Sequence, residues 1–198
     1  MIGYIRQGWL VLLLGLLFGV ALAGVNAWLG PKIDENQRRA RETAAVKVIP
    51  GGEEARKVTV DGTTVFRVTD GAGRLVGWGV PAGGQGYADT LRLIVGVNAD
   101  ASELTGFRVT YNQETPGLGN KIERTEFRSR FAGRDASVRL EAVQDPEGDH
   151  EVQALTGATI SSDAVARIIY EQLNETGLLS KLRQRAGVGS VWQPAPEN

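Results

Sequence analysis

Leu155-Thr156-Gly157-Ala158-Thr159-Ile160-Ser161-Ser162 is the stretch from which the fold and a binding site can both be predicted. It is rich in hydroxyl groups and precedes residues 163–173, where apolar side chains recur at helical spacing and predict a helix. Ser161 or Ser162 is suited to cap that helix, because a serine oxygen accepts the unpaired amide hydrogens of the first turn. Since a helix N-terminus also favours phosphate, the stretch predicts a phosphate site.

Thr159 lies two residues before the predicted cap. Gly157 and Ala158, which precede it, leave room for a phosphate to approach the start of the helix. No neighbouring histidine or lysine activates the hydroxyl as a nucleophile, so the local chemistry alone indicates an ordinary loop or strand threonine.

Glu114-Thr115-Pro116-Gly117-Leu118-Gly119-Asn120-Lys121 is a second unusual stretch. It joins a carboxylate and a hydroxyl to a turn that is rigid at Pro116 and flexible at its glycines, which allow backbone amides to approach a planar ring. The alternative is a tight surface turn between a strand and a helix. A third stretch, Gly86-Tyr87-Ala88-Asp89-Thr90-Leu91, leads into the apolar segment 92–97.

Taken in this order, the three stretches resemble the FMN-binding domain family whose flavin is joined through its phosphate to a threonine. The family includes the G subunit of the Rnf complex and the C subunit of the sodium-pumping NADH:quinone reductase. The resemblance covers about residues 79–173. It implies that Thr159, after the Gly-Ala pair, receives covalent FMN from a separate flavin transferase, so that self-activation is unnecessary.

The resemblance also implies which residues bind the cofactor. Thr156, Gly157 and Ala158 belong to the attachment motif, and the Glu114 stretch lies beside the isoalloxazine ring. The predicted cofactor-binding residues are Glu114, Thr115, Gly117, Leu118, Gly119, Lys121, Thr156, Gly157, Ala158 and Thr159.

This chain departs from the family pattern at two places. Gln153 occupies the position, six residues before Thr159, where the family usually has an aspartate. If that acid helps the transferase to recognise its target, attachment here is slower, depends on Glu151 or fails. Ala88 and Asp89 replace the second pair of glycines in a Gly-Tyr-Gly-Gly-like turn.

The function implied by the resemblance is electron relay through covalent FMN in an ion-translocating ferredoxin:NAD oxidoreductase complex of the Rnf type, together with the other subunits of that complex. The C subunit of the quinone reductase is the alternative within redox chemistry. A flavin-free, membrane-tethered binding or scaffold module is an alternative from another class, favoured by Gln153. A hydrolase with Glu114 as its general base is a further alternative, but the sequence spacing identifies no second catalytic group for it.

Composition excludes several kinds of site. The 22 basic residues balance 23 acidic ones, so the chain has no basic field for nucleic acid. Without cysteine it cannot form a disulfide, ligate an iron-sulfur cluster or use a thiol nucleophile. Its one histidine, His150, lies in an acidic stretch and is predicted to be a solvated loop residue. No metal site and no histidine-based catalytic site are expected.

Residues 9–29 contain no charged side chain, and as a helix they would span about 32 Å, close to the thickness of a bilayer. Ala21-Leu22-Ala23 would suit signal cleavage, but the apolar run continues beyond it, which favours a retained anchor. A count of flanking cations opposes an inside N-terminus. Long domains translocate largely regardless of charge, however, and the resemblance implies a cytoplasmic N-terminus and a periplasmic domain at the inner membrane.

The sequence predicts an α+β fold: one transmembrane helix and one mixed FMN-binding domain with antiparallel strands. Residues 1–30 form the tail and anchor, 31–50 a stalk helix ended by Pro50-Gly51-Gly52, and 51–198 the outer domain. Residues 187–198 contain two prolines and little periodicity and are expected on the surface or docked on a partner, with Trp192 the exception. Strands are predicted at 57–60, 64–69, 75–80, 91–97, 104–111 and 137–143, and short and long helices at 126–131 and 163–173.

Overall fold

The computed structural model describes residues 2–187. Its first helix, α1, runs Ile2–Val48. Residues as far as Ala40 form one compact unit, and residues from Arg41 onward form a second. Of the predicted C-terminal surface segment, Gly187 ends the last helix, while Trp192 lies outside the described residues.

The first unit is helical, and its apolar side chains are exposed. From Trp9 to Leu29 the large hydrophobic residues are all solvent-facing, as is Ile33. Among residues 2–187, α1 is the one helix with the length and composition to cross a membrane. Pro31 lies inside α1, although proline removes one helical hydrogen bond and crowds the preceding turn. The helix therefore continues through the expected junction of anchor and stalk.

The second unit is a mixed α+β domain, as predicted. Its strands are β1 Glu54–Val60, β2 Thr63–Thr69, β3 Leu75–Gln85, β4 Thr90–Asn98, β5 Leu104–Tyr111, β6 Glu141–Val143 and β7 Glu151–Gln153. Its further helices are α2 Thr125–Arg128, α3 Thr159–Tyr170 and α4 Leu178–Gly187, with 3-10 turns at Gly119–Glu123 and Ser129–Phe131 and a π-helical turn at Glu171–Glu175.

Strands β1 to β5 form one antiparallel meander in chain order. One face of this sheet packs against the last turn of α1. Close approach requires glycine there, because a Cβ on Gly79 would lie 2.7 Å from the Cβ of Ala45. Thr105 Oγ1 also donates to the carbonyl of Val48 at 2.9 Å. The end of α1 is thus an integral part of the domain.

The opposite face of the sheet carries the main core. Side chains alternate along a strand, so Trp78 and Val80 face this core while Gly79 between them faces α1. Helices α3 and α4 contribute Ile168 and Leu182 to it. Three fully buried rings at the end beside α2 contact one another edge to face, with centroids 5.1 to 6.1 Å apart: Phe107, Phe127 and Phe131.

Strands β1 and β3 are longer than predicted, and two further boundaries differ by four residues. Only Glu141–Val143 of the expected strand 137–143 is extended, because Asp135 accepts hydrogen bonds from the amide and hydroxyl of Ser137 and holds a turn there. Helix α3 begins at Thr159 rather than near Asp163, with Ala158 as its N-cap. Ser161 and Ser162 are therefore inside the helix and do not cap it.

Two elements were not predicted from the sequence, β7 and α4. Strand β7 is three residues long and pairs in parallel with β6, with Ala142 opposite Val152. Helix α4 buries Leu178, Leu179 and Leu182 in the main core.

Candidate functional site

A cavity of about 360 Å³ opens between the two motifs that the sequence singles out. The Glu114 loop forms one side and the start of α3 the other, with a residue of the β3–β4 turn at the rim. Its lining residues are Tyr87, Glu114, Thr115, Leu118, Gly119, Gly157, Ala158, Thr159, Ile160 and Ser161.

The turn before α3 is held by Ser162. Its hydroxyl accepts a hydrogen bond from the amide of Leu155 at 3.0 Å and donates one to the carbonyl of Ala158 at 2.9 Å. The amide of Ala158 donates to the carbonyl of Leu155, which closes the turn, and Ser162 is fully buried. The serine that the sequence indicated as a cap thus fixes the conformation of the turn at residues 155–158 from inside the helix.

Gly157 permits the backbone conformation of this turn and its close approach to Leu118 of the Glu114 loop. Its φ is +78°, a conformation that favours glycine, and a Cβ there would lie 3.2 Å from Leu118 Cδ2. Thr156, next to it, is exposed and does not line the cavity.

Glu114 is buried, with 5% of its surface exposed. Its Oε2 accepts a hydrogen bond from the Ser161 hydroxyl at 2.6 Å, and its Oε1 accepts one from the Ala88 amide at 3.1 Å. A Cβ on Gly86 would lie 2.3 Å from this carboxylate and one on Gly119 would lie 2.7 Å away. One carboxylate therefore joins the β3–β4 turn, the Glu114 loop and the first turn of α3.

The rest of the loop is closed by its own hydrogen bonds. Asn120 Oδ1 accepts from the amide of Gly117 at 2.9 Å, and the Leu118 amide donates to the Thr115 carbonyl at 3.2 Å. Gly117 has φ +80° and faces open space. Gly117 and Lys121 were predicted to bind the cofactor, but neither lines the cavity.

The rim of the cavity is apolar and exposed. Tyr87, Leu118 and Ile160 expose 62%, 45% and 61% of their surfaces. Exposed large hydrophobic side chains grouped around a concave site indicate a surface that a ligand or a partner covers. Of these three, the sequence predictions placed only Leu118 in the site.

Thr159 is the first residue of α3 and is exposed. Its Oγ1 accepts a hydrogen bond from Gln144 Nε2 at 3.0 Å. The amides of Thr159, Ile160 and Ser161 donate to no other residue in the described part of the chain, and Ala158 provides no side-chain cap. Unpaired amides at the positive end of a helix dipole are groups that favour an anion such as phosphate.

Gln153 and Glu151 lie two residues apart in β7, so their side chains point to the same side of the strand. The Gln153 carbonyl accepts a hydrogen bond from Arg130, and its side chain is exposed. Glu151 is already engaged: hydrogen bonds from the Glu147 amide, and then from the Gly148 amide, hold the pKa of its carboxyl below the ordinary value.

His150 exposes 57% of its side chain, as predicted for a solvated loop histidine. Within residues 2–187 there is no group of three or more histidine, aspartate or glutamate side chains that could hold a metal ion.

The site fits a flavin mononucleotide in three respects. The cavity has apolar walls at Tyr87, Leu118 and Ile160 for a planar ring, and the start of α3 offers unpaired amides for one phosphate. The hydroxyl of Thr159 lies beside those amides, on the wall of the same cavity.

Comparison with known proteins agrees with this arrangement. Residues 86–174 match the FMN-binding domain, and this range contains all three sequence motifs. The chain is also 31% identical over 146 residues to the G subunit of the ion-translocating oxidoreductase complex of Methanosarcina acetivorans, covering 70% of this chain and 76% of that protein. The chain belongs to the FMN-binding domain family.

Other proteins are similar over comparable lengths. The G subunit of the proton-translocating ferredoxin:NAD(+) oxidoreductase complex of Clostridium ljungdahlii is 27% identical over 157 residues, covering 79% of this chain and 83% of its own. Among solved structures, NqrC of Shewanella oneidensis has a TM-score of 0.56 at 24% identity, covering 75% of this chain and 74% of its own. The C subunit of the Na(+)-translocating NADH-quinone reductase of Parabacteroides distasonis has a TM-score of 0.60 at 19% identity, covering 77% and 94%. Both share the fold of this FMN-binding domain.

Proposed function

We propose that this protein is the G-type flavoprotein subunit of an ion-translocating ferredoxin:NAD oxidoreductase complex and relays electrons through FMN attached to Thr159. The single observation that carries the proposal is the position of Thr159. Its hydroxyl is exposed at the start of α3, beside unpaired amides and on the wall of the cavity formed by both motifs. The G-subunit names of its relatives support the complex to which it is assigned.

The residues of this chain would position the cofactor, while the bound flavin supplies the electron-transfer chemistry. The amides of Thr159, Ile160 and Ser161 would hold the phosphate, and Tyr87 and Leu118 would contact the ring. An ester to Thr159 leaves one negative charge on the phosphate, which suits the end of a helix dipole. Covalent attachment also prevents loss of the cofactor outside the cytoplasm.

The attachment is tested by intact mass. The full chain is expressed with a flavin transferase, purified from the membrane and weighed. Wild type should gain the mass of FMN less one water and show a fluorescent band on a denaturing gel. Thr159→Val should lose both signals completely, because valine keeps the shape of threonine but has no oxygen. Thr156→Val is measured beside it, because Thr156 is the other threonine of the predicted motif. Thr125→Val is the control, since Thr125 is exposed and lies outside both motifs and outside the cavity.

Three results would contradict the proposal. Wild type at the bare polypeptide mass supports the flavin-free scaffold instead. An adduct that survives Thr159→Val places the flavin elsewhere. An adduct that disappears in Thr156→Val but persists in Thr159→Val means that the flavin is attached to Thr156. The effect of Gln153 is measured in the same assay, because Gln153→Asp should accelerate attachment if the family acid aids recognition by the transferase.

The C subunit of a sodium-pumping NADH:quinone reductase is the second candidate, and the two solved structures with this fold favour it. The two complexes differ in the subunits that accompany the protein. Purification of the tagged full chain from its native membrane, followed by mass spectrometry of the co-purified subunits, distinguishes them. Co-purified subunits of a ferredoxin-oxidising complex support the G-type subunit, and co-purified subunits of a quinone-reducing NADH dehydrogenase support the C subunit.

A further inference from the structure

Gln144 contacts the attachment residue, although no sequence motif includes it. Its Nε2 donates to Thr159 Oγ1 at 3.0 Å across fifteen residues of chain. Within the described part of the protein, it is the hydrogen bond made by the Thr159 side chain, and it joins two residues that lie far apart in the chain. A contact of this kind, directly on the modified oxygen, calls for a functional explanation.

The backbone around Gln144 is fixed to the strand that leads into the attachment motif. Gln144 directly follows β6, which pairs in parallel with β7. The amide of Ala154 donates to the carbonyl of Val143, the residue before Gln144, at 2.6 Å. Ala154 is in turn five residues before Thr159. The parallel pairing of β6 and β7 therefore sets the position of Gln144 relative to the attachment turn.

The amide group of Gln144 can orient the hydroxyl but cannot deprotonate it. A primary amide nitrogen donates hydrogen bonds and is not a base at neutral pH. By donating to Oγ1 it occupies one lone pair and selects one of the staggered rotamers of Thr159. The hydroxyl hydrogen remains available to a base supplied from outside the chain, and Thr159 is exposed enough to be reached.

We propose that Gln144 is the positioning residue for flavin attachment to Thr159, an inference that rests on the proposed function. In that step the Oγ–H bond of Thr159 breaks and an Oγ–P bond forms. The phosphoanhydride bond of a flavin dinucleotide breaks, and a nucleoside monophosphate leaves with its electron pair. The proton passes to a base of the transferase. Gln144 holds the attacking oxygen at the start of α3, where the unpaired amides receive the phosphate.

The test measures the rate of attachment to the full-length protein. Purified wild type, Gln144→Ala, Gln144→Glu and Gln113→Ala are incubated with transferase and flavin dinucleotide, and adduct formation is followed by intact mass. Gln113→Ala is the matched control, because Gln113 is an exposed glutamine next to the Glu114 loop. We expect kcat for attachment to fall at least about fivefold in Gln144→Ala, with an unchanged KM for the protein, as for one lost hydrogen bond.

Gln144→Glu distinguishes donation from packing, since glutamate has nearly the same shape but, when ionised, only accepts hydrogen bonds. It should be slower than Gln144→Ala, because it also places a negative charge beside the arriving phosphate. The melting temperature should match that of wild type. A second readout needs no flavin: in unmodified protein labelled with 15N, Thr159→Val should shift the side-chain amide resonances of Gln144.

Wild-type rates in both Gln144 variants overturn the inference while leaving the proposed function intact. Unshifted Gln144 amide resonances in Thr159→Val also overturn it. If Gln144→Glu reacts as wild type and only Gln144→Ala is slow and less stable, the side chain acts by packing and the inference fails. A wild-type protein that gains no adduct overturns the proposed function, and the inference fails with it.

Discussion

Glu114 shows, at the scale of a single residue, how a buried carboxylate determines the form of the cavity. It accepts hydrogen bonds from the Ala88 amide and the Ser161 hydroxyl. Glu114→Ala would leave both donors unpaired in a buried site, so the free energy of unfolding should fall by about 1–3 kcal/mol. Urea unfolding measures this change. Glu103→Ala, at an exposed glutamate, should change it by less than about 0.5 kcal/mol.

Glu114→Gln separates the shape of that side chain from its charge. The glutamine oxygen can still accept from the Ala88 amide, and its nitrogen can donate to Ser161, so stability should stay closer to wild type than in Glu114→Ala. Equal losses in the two variants would show that the charge, rather than the hydrogen-bond geometry, joins the three segments.

Glu151 is a residue whose contribution depends on pH. Hydrogen bonds from the Glu147 and Gly148 amides lower its pKa in the folded protein. A lowered folded pKa means that the stabilisation is present above the unfolded value, about 4.3, and is lost as pH falls through the folded pKa. The amide resonances of Glu147 and Gly148 should therefore titrate with a midpoint below about 4.3. Glu151→Gln should abolish this titration, and a midpoint at or above the unfolded value would contradict the assignment.

At the scale of elements, the start of α3 is the place where the prediction from sequence differs from the structure. Serines before an apolar periodic run are typical of caps, which is why the helix was predicted near Asp163. Ser161 and Ser162 instead bond to Glu114 and Leu155, partners 47 and 7 residues away. Because these hydroxyls form hydrogen bonds with groups outside the helix, they do not cap its first amides, and α3 begins four residues earlier than predicted.

Other elements divide in the same way between local and long-range causes. Strands β1 to β5 follow from alternating apolar residues and the turns between them, so their order and type were predictable. Strands β6 and β7 are three residues long and exist by pairing with each other. The contact of Gln144 with Thr159 depends on that pairing, which no local pattern reveals.

Ser162→Ala tests the turn that precedes α3. The substitution removes the acceptor for the Leu155 amide and the donor to the Ala158 carbonyl in a fully buried position. The free energy of unfolding should fall by about 1–3 kcal/mol, and attachment of flavin to Thr159 should slow because the turn loses its fixed form. Ser180→Ala, at an exposed serine of α4, is the control and should leave both unchanged. Wild-type attachment by Ser162→Ala would mean that the turn is held by other contacts.

At the scale of the whole molecule, one chain combines an apolar helical unit with a domain that carries a cofactor site. The charge balance and the absence of cysteine are neutral with respect to compartment, and the flanking cations oppose the orientation that the family resemblance implies. We therefore propose a position of the domain outside the cytoplasm on the ground of the family resemblance alone. That position determines where electrons can enter and leave the flavin.

The absence of cysteine makes the orientation measurable, because an introduced thiol is the only one in the chain. Glu103→Cys places it at an exposed position of the domain, and Gly3→Cys places it in the N-terminal tail. With a maleimide that cannot cross the cell membrane, intact cells should label Glu103→Cys fully, as expected for a domain outside the cytoplasm. Gly3→Cys should be labelled only after lysis. The wild-type chain, which has no thiol, is the background control. Labelling of Gly3→Cys in intact cells, with Glu103→Cys protected, would reverse the topology and place the Thr159 site in the cytoplasm.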